Sequence, residues 1–393
     1  MMEGSRAELS SRVRETGPPI MQVMKSLKAP RDTIDLSQGV PFFGPPEDAV
    51  KDAMKDIRSL HGYGPDAGDE ELREIILKKV RSRNMIRAGS LDNIMVTAGA
   101  NMGFLNAVSA ISDPGDEIIL LDPFYFNHGM TLDILGVGHI HSRPAKDGEV
   151  DIDSVDEAIN SRTRAIVMVS PGNPTGAVMK KGSMEALLEL CLENGLWLIS
   201  DETYEDFHYE GQHVSPASMG DELPVISLFS LSKSYGIPGW RQGYMVFPRW
   251  MFDQLLKVQD TTIICPSRVG QRLALYLIRD HPDHARNHMG ALRENRKEVM
   301  DWLKRNEDLV EAPRPDGAFY AFPSFTGGAF ERIRSMDIAR NILEEARVLL
   351  VPGSPFGVNT PPALRISYGN AGKDRLREAL ERMDEWLEGS PLS

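Results

Sequence analysis

The 393-residue chain reads as an α/β protein: a large, mostly parallel sheet sandwiched by helices, plus a smaller α+β domain. Three observations predict this. Short β-rich runs alternate with helical patterns through the middle of the chain, as in βαβ units. Several of those runs are apolar at consecutive positions, which suits strands covered on both faces. After about residue 280 the texture changes to a long charged amphipathic pattern followed by short segments punctuated by Gly and Pro.

In chain order, residues 1–45 are broken by Pro and Gly and are expected to form an arm that wraps onto the smaller domain. Residues 46–285 form the expected large domain. Its candidate strands are Asn93–Thr97, Glu117–Leu121, Ala165–Val169, Leu196–Ser200, Val225–Phe229 and Tyr244–Phe247, with helical patterns at Met102–Ile111, Ser183–Asn194 and Met251–Gln259. Residues 286–393 form the expected small domain, entered by a long helix over His284–Asn306 and closed by one over Lys373–Glu388. No internal repeat or low-complexity tract interrupts this order.

Composition narrows the function. Lys plus Arg number 44 against 57 Asp plus Glu, a formal charge of −13. Such a surface repels phosphate backbones and anionic headgroups, so neither nucleic acid nor membrane is an expected partner. The longest apolar runs are about five residues, against the ~20 needed to span a bilayer. The N-terminal stretch lacks an apolar core of the secretory kind. The two cysteines, Cys191 and Cys265, suggest no disulfide framework and no metal site. A cytoplasmic protein without a metal is expected.

In open α/β sheets, ligands bind beyond the carboxyl ends of the strands. The first candidate strand is followed by Gly99-Ala100-Asn101 and the second by Asp122-Pro123-Phe124-Tyr125. The third leads into Ser170-Pro171-Gly172-Asn173-Pro174-Thr175-Gly176 and the fourth into Asp201-Glu202-Thr203-Tyr204. The fifth leads into Ser230-Leu231-Ser232-Lys233, with Arg241 soon after. A glycine turn opening a helix, with a nearby guanidinium, suits a phosphate. It is neither GxGxxG nor GxxxxGK[ST], which lowers the case for a dinucleotide or a P-loop.

These motifs resemble those of the fold-type I, pyridoxal-phosphate (PLP) dependent aminotransferases, the aspartate aminotransferase superfamily. SLSKSYGIPGWRQGY is similar to the segment that carries the Schiff-base lysine. NPTG at Asn173–Gly176, DETY at Asp201–Tyr204, GYGPDAGDEELRE from Gly62, GAFYAFP from Gly317 and RISYG from Arg365 follow in the family's order over nearly the whole chain. The resemblance implies a seven-stranded sheet in the large domain. It also implies a ping-pong transfer of an amino group from an amino acid to a 2-oxo acid. Aspartate with 2-oxoglutarate is the first expected pair, followed by aromatic or other neutral amino acids.

By the same resemblance, Lys233 forms the Schiff base, Asp201 holds the ring nitrogen protonated, and Tyr204 with Asn173 bonds the phenolic oxygen. Gly99, Ala100, Asn101, Ser230, Ser232 and Arg241 hold the phosphate, and Tyr125 stacks on the ring. Arg365, Asn173 and Gly39 meet the substrate, Arg365 through its α-carboxylate. Tyr63 reaches the phosphate of a neighbouring subunit, which implies a homodimer with shared sites. The roles of Arg268 and His128 stay open. A PLP-dependent lyase or cyclase would use the same lysine, aspartate and arginine, and a regulator with this fold is the remaining alternative.

Overall fold

The computed structural model describes residues 8–55, 57–144, 149–326, 330–357 and 361–389. The first seven residues of the expected arm, and short stretches of both expected domains, lie outside the described residues.

The N-terminal segment carries the short strand β1 (Ile34–Asp35). The large sheet follows, built from β2 (Ile94–Thr97), β3 (Glu117–Leu121), β4 (Gly138–Ser142), β5 (Thr163–Val169), β6 (Trp197–Asp201), β7 (Val225–Ser230) and β8 (Gly243–Val246). Its seven strands lie in the order β2-β8-β7-β6-β5-β3-β4. Only β8 runs antiparallel to its neighbours. The carboxyl ends of β2, β3, β5, β6 and β7 therefore share one edge.

Consecutive apolar residues in the strands serve two faces. Ala165 and Val167 of β5 pack with Phe104, Val108 and Leu132 of the helices Ala100–Ile111 and Phe126–Leu135. Ile166 and Met168 of the same strand pack with Met184, Leu187 and Cys191 of the helix Lys181–Asn194. Each such residue is fully buried, worth about 1.5–3 kcal/mol relative to exposure. Cys191 is one of these apolar contacts, and burial pushes its thiol up to about 12.

β4 was not among the candidate strands. It reads GHIHS, lies at the edge of the sheet and is only partly buried, so it lacks the apolar run that marks the central strands. Asn93 lies in a one-turn 3-10 helix ahead of β2, where its amide donates to the carbonyl of Phe247 and accepts from the amides of Gly89 and Ser90. The expected helix over 284–306 is broken at His288 into His284–Asn287 and Met289–Arg305. The imidazole at the break stacks on Phe43 at 4.2 Å.

The C-terminal part holds β9 (Val310–Glu311), β10 (Tyr320–Ala321), β11 (Ser324–Phe325), β12 (Val348–Leu349), β13 (Val351–Pro352) and β14 (Leu364–Ser367), with the closing helix Lys373–Gly389. β14 is the middle strand of an antiparallel sheet of order β10-β14-β13. β1 pairs in parallel with β12. The backbone beyond β1 then follows β14: Ser367 donates its amide to Leu36 O, and its hydroxyl to Gln38 O. That course carries Gly39 over the carboxyl edge of the large sheet.

Candidate active site

The strand ends of the large sheet and the β14 segment enclose a cavity of about 260 Å³. It brings together Lys233, Asp201, Tyr204, Ala100, Asn101, Tyr125, Asn173, Ser230, Ser232, Arg241, Gly39 and Arg365, twelve of the residues singled out from sequence. Gly99 and Tyr63 do not line it.

Lys233 sits on the short helix Leu231–Ser234 that follows β7. Its Nζ donates to the carbonyl of Gly39 at 2.6 Å. Burial, with the guanidinium groups of Arg365 and Arg241 adding repulsion, lowers its pKa from 10.5 to about 8. The amine thus has substantial neutral character near physiological pH. Ser230 caps this helix: its Oγ accepts from the amide of Ser232 at 3.2 Å, which leaves its hydroxyl proton free to donate into the cavity.

Asp201 ends β6 and is buried. Its Oδ1 accepts from the amide of Thr203 at 3.0 Å, while Oδ2 stands 3.3 Å from Nε2 of His128. His128 is itself buried, stacked on Phe104 at 4.1 Å and edge-on to Tyr125 at 5.2 Å. The residue left without a role from sequence thus stands behind the carboxylate and beside the ring of Tyr125. Its position depends on the turn of the helix Phe126–Leu135, which only the fold brings against β6.

Tyr204 shares a 2.6 Å hydrogen bond with Tyr320 of β10. Burial raises both phenols, Tyr320 to about 12, so each is neutral and one proton of the pair is free for another acceptor. Tyr320 was legible only as part of GAFYAFP, without a role. Asn173 Oδ1 accepts from Arg365 Nη1 at 2.9 Å, which directs the Asn173 NH₂ group elsewhere.

Arg365 is 3% exposed. Nη2 donates to the carbonyl of Ser37 at 2.7 Å, and the guanidinium lies over the Tyr320 ring at 4.8 Å. Arg241 is exposed and donates to the carbonyls of Pro238 and Ala98. It lies against Gly99, the residue before the helix Ala100–Ile111, whose φ of +82° and missing side chain permit the approach: a Cβ there would stand 2.5 Å from Arg241 Nη2. Among the described residues, neither guanidinium faces a carboxylate. Burying an unpaired charge costs several kcal/mol, so a site that holds Arg365 this way is built for an anion.

The donor set therefore matches a ligand with an electrophilic carbon for the amine, a basic ring nitrogen for the carboxylate, and two anionic groups for the two arginines. The family profile of aminotransferase class I and II matches residues 31–383. The chain belongs to that family. This aminotransferase is 32% identical to an aspartate aminotransferase of Pyrococcus abyssi over 374 residues, covering 92% of this chain and 94% of the relative. It is 31% identical to an aromatic aminotransferase of Arabidopsis thaliana, covering 98% of each. The fold-type I structure of a single mutant of Thermus thermophilus aspartate aminotransferase superposes with a TM-score of 0.88 at 29% identity, over 97% of this chain and 100% of that one.

Of the other residues, Arg268 lies outside the cavity, with Nε 3.6 Å from Asp69 and its side chain against Gly64. Tyr63, next to it, is 81% exposed. Among the described residues, no group of side chains could hold a metal ion and no helix is long and apolar enough to cross a membrane. Sequence reasoning also passed over Met21, Gln38 and Val40, which line the cavity from the N-terminal segment. No local signal marks them, because the route of the arm brings them there.

Proposed function

We propose that this aminotransferase binds pyridoxal phosphate in the cavity and works by two half-reactions, with Lys233 as the residue that carries the cofactor. The observation that carries the reading is the Lys233 amine, which lines the cavity with Arg241 and Arg365 and is bonded to Gly39 O at 2.6 Å. Pyridoxal phosphate, when bound, supplies an aldehyde for the amino group and a ring that withdraws electrons from the substrate Cα.

The residues divide that work. Lys233 would attach through its neutral amine and, once freed by the incoming amino acid, would take the proton from Cα and pass it to the carbon that carried the cofactor's aldehyde, so that water frees the 2-oxo acid and the amino group stays behind. Asp201 holds a proton on the ring nitrogen, and His128 keeps that carboxylate in place. The NH₂ of Asn173 and the Tyr204–Tyr320 pair donate to the phenolic oxygen. Gly99, Ala100 and Asn101 offer the phosphate a helix N-terminus, joined by Ser230, Ser232 and Arg241. Tyr125 covers the ring. Arg365 clamps the α-carboxylate, which fixes Cα near Lys233 Nζ, and Gly39 closes the substrate side.

A homodimer belongs to this reading. Tyr63 is exposed and does not line its own cavity, as expected of a side chain that reaches the partner's phosphate. Sedimentation should give twice the chain mass, and a stable monomer with full activity would sink that part. The reading also keeps a division into an arm (1–45), a large domain (46–285) and a small domain (286–393). A cytoplasmic setting is supported by two cysteines that are both free. Borohydride treatment should fix one cofactor per chain at Lys233, read by peptide mass. Lys233→Ala should stay folded and carry none. Fixation at another lysine would overturn the assignment.

A further inference from the structure

We infer that Tyr320 tunes the cofactor from behind Tyr204: it donates its hydroxyl proton to the Tyr204 oxygen, which leaves the Tyr204 proton to the cofactor's phenolic oxygen and makes it a stronger donor there. Tyr320 is on this view a positioning residue that acts through Tyr204. The inference rests on the aminotransferase reading above and deepens it by giving the two phenols an order.

Both phenols are enclosed within one chain, Tyr204 3% and Tyr320 1% exposed, so their pairing does not depend on what a partner subunit adds to the cavity. Tyr204 comes from the turn after β6, and Tyr320 from β10, opposite Ser367 of β14. Their oxygens stand 2.6 Å apart and their rings meet edge-on at 5.5 Å. Phe319 packs edge-on against Tyr204 at the same distance. The backbone of Tyr320 is confined as well, since a Cβ on Gly176 would stand 2.3 Å from its carbonyl oxygen. The contact between the hydroxyls is thus set by packing on both sides.

A bond between two hydroxyls holds one hydrogen, so one phenol donates and the other keeps its proton for a further acceptor. Two observations make Tyr320 the donor. The charged and titratable side chains acting on both phenols are Arg365 of β14 and Tyr125. Burial raises both phenols, but the guanidinium, 4.8 Å above the Tyr320 ring, is the main force against that rise at Tyr320. At Tyr204 burial is joined by the contact with Tyr320, which adds to the rise. Tyr320 is the more acidic phenol and hence the better donor. On its other side the Tyr320 oxygen meets the bare Cα of Gly39, where a Cβ would stand 2.3 Å away. Among the described residues Tyr204 is its one hydrogen-bond partner. Tyr204 then both accepts and donates, and such a chain strengthens its outer bond.

The test follows the visible absorption of the Lys233-linked cofactor against pH, with no substrate present. A donor on the phenolic oxygen draws charge from the linked nitrogen and eases the loss of its proton, so a weaker donor raises the midpoint. Tyr320→Phe keeps the ring beneath Arg365 and removes only the hydroxyl. It should raise the midpoint by about half a pH unit, and Tyr204→Phe by about one. In a chain that already carries Tyr204→Phe, adding Tyr320→Phe should move the midpoint no further. An unchanged midpoint in Tyr320→Phe would overturn the inference. So would an equal rise in both backgrounds, because Tyr320 would then act without Tyr204. Either result leaves the aminotransferase reading intact, whereas a wild-type chain that carries no cofactor on Lys233 would sink that reading and the inference with it.

Discussion

Lys233 shows what a residue type can and cannot disclose. Its motif, between Ser232 and Ser234 and ahead of Arg241, made it readable as the reactive amine. The reason it reacts is not local. Burial, helped by Arg365 from the far end of the chain and by Arg241, lowers its pKa to about 8. About half of the amine is then neutral at pH 8, against under about 1% for a lysine at 10.5. The expected outcome is that cofactor-free protein takes up pyridoxal phosphate at a rate that rises with pH and levels off just above pH 8. The rate would be read by borohydride trapping at timed intervals. A rise continuing toward pH 10.5 would mean that Lys233 behaves as a solvated lysine. His128 is the opposite case. Nothing in its sequence neighbourhood names Asp201 as its partner, since the 3.3 Å contact joins the helix after β3 to the end of β6.

At the scale of elements, the central strands were legible because burial on both faces demands unbroken apolar runs, as in AIVMV of β5. The polar edge strand β4 lacks that demand and was silent. The break at His288 was also silent, since it depends on Phe43, some 245 residues away in sequence. The connection after Lys233 shows how tightly an element can be tied to a distant one. Gly236 has φ +62°, and a Cβ there would stand 2.1 Å from the carbonyl of Phe43. Gly236→Ala should cost about 1–2 kcal/mol for the left-handed backbone alone, and more from pushing the arm away. Denaturant unfolding should show the loss, and cofactor affinity should fall because Val40 and Gly39 lie just upstream on the same arm. An unchanged unfolding midpoint would refute this account of the contact.

For the whole molecule, the class of fold was readable from alternation and composition, while the joining of its parts was not. The strand order β2-β8-β7-β6-β5-β3-β4 and the reversal of β8 depend on long connections. The arm's path along β14 depends on the Ser367 amide, which most residues could supply, and on its hydroxyl, whose acceptor on Gln38 no local pattern names. That path decides the site, because it sets Gly39 on Lys233 and Met21 beside Arg365. The ordered set of strand-end motifs pointed to the chemistry, and the folded chain adds the phenol pair and the histidine behind Asp201. All of these serve one claim: the chain holds an amino group between two substrates and does not release it. The most direct measurement mixes the loaded protein with an amino acid such as phenylalanine and no 2-oxo acid. The account predicts one 2-oxo acid formed per chain, no free ammonia, and a second turnover only when a fresh 2-oxo acid is added. Continuous turnover with ammonia release, without any acceptor, would contradict it.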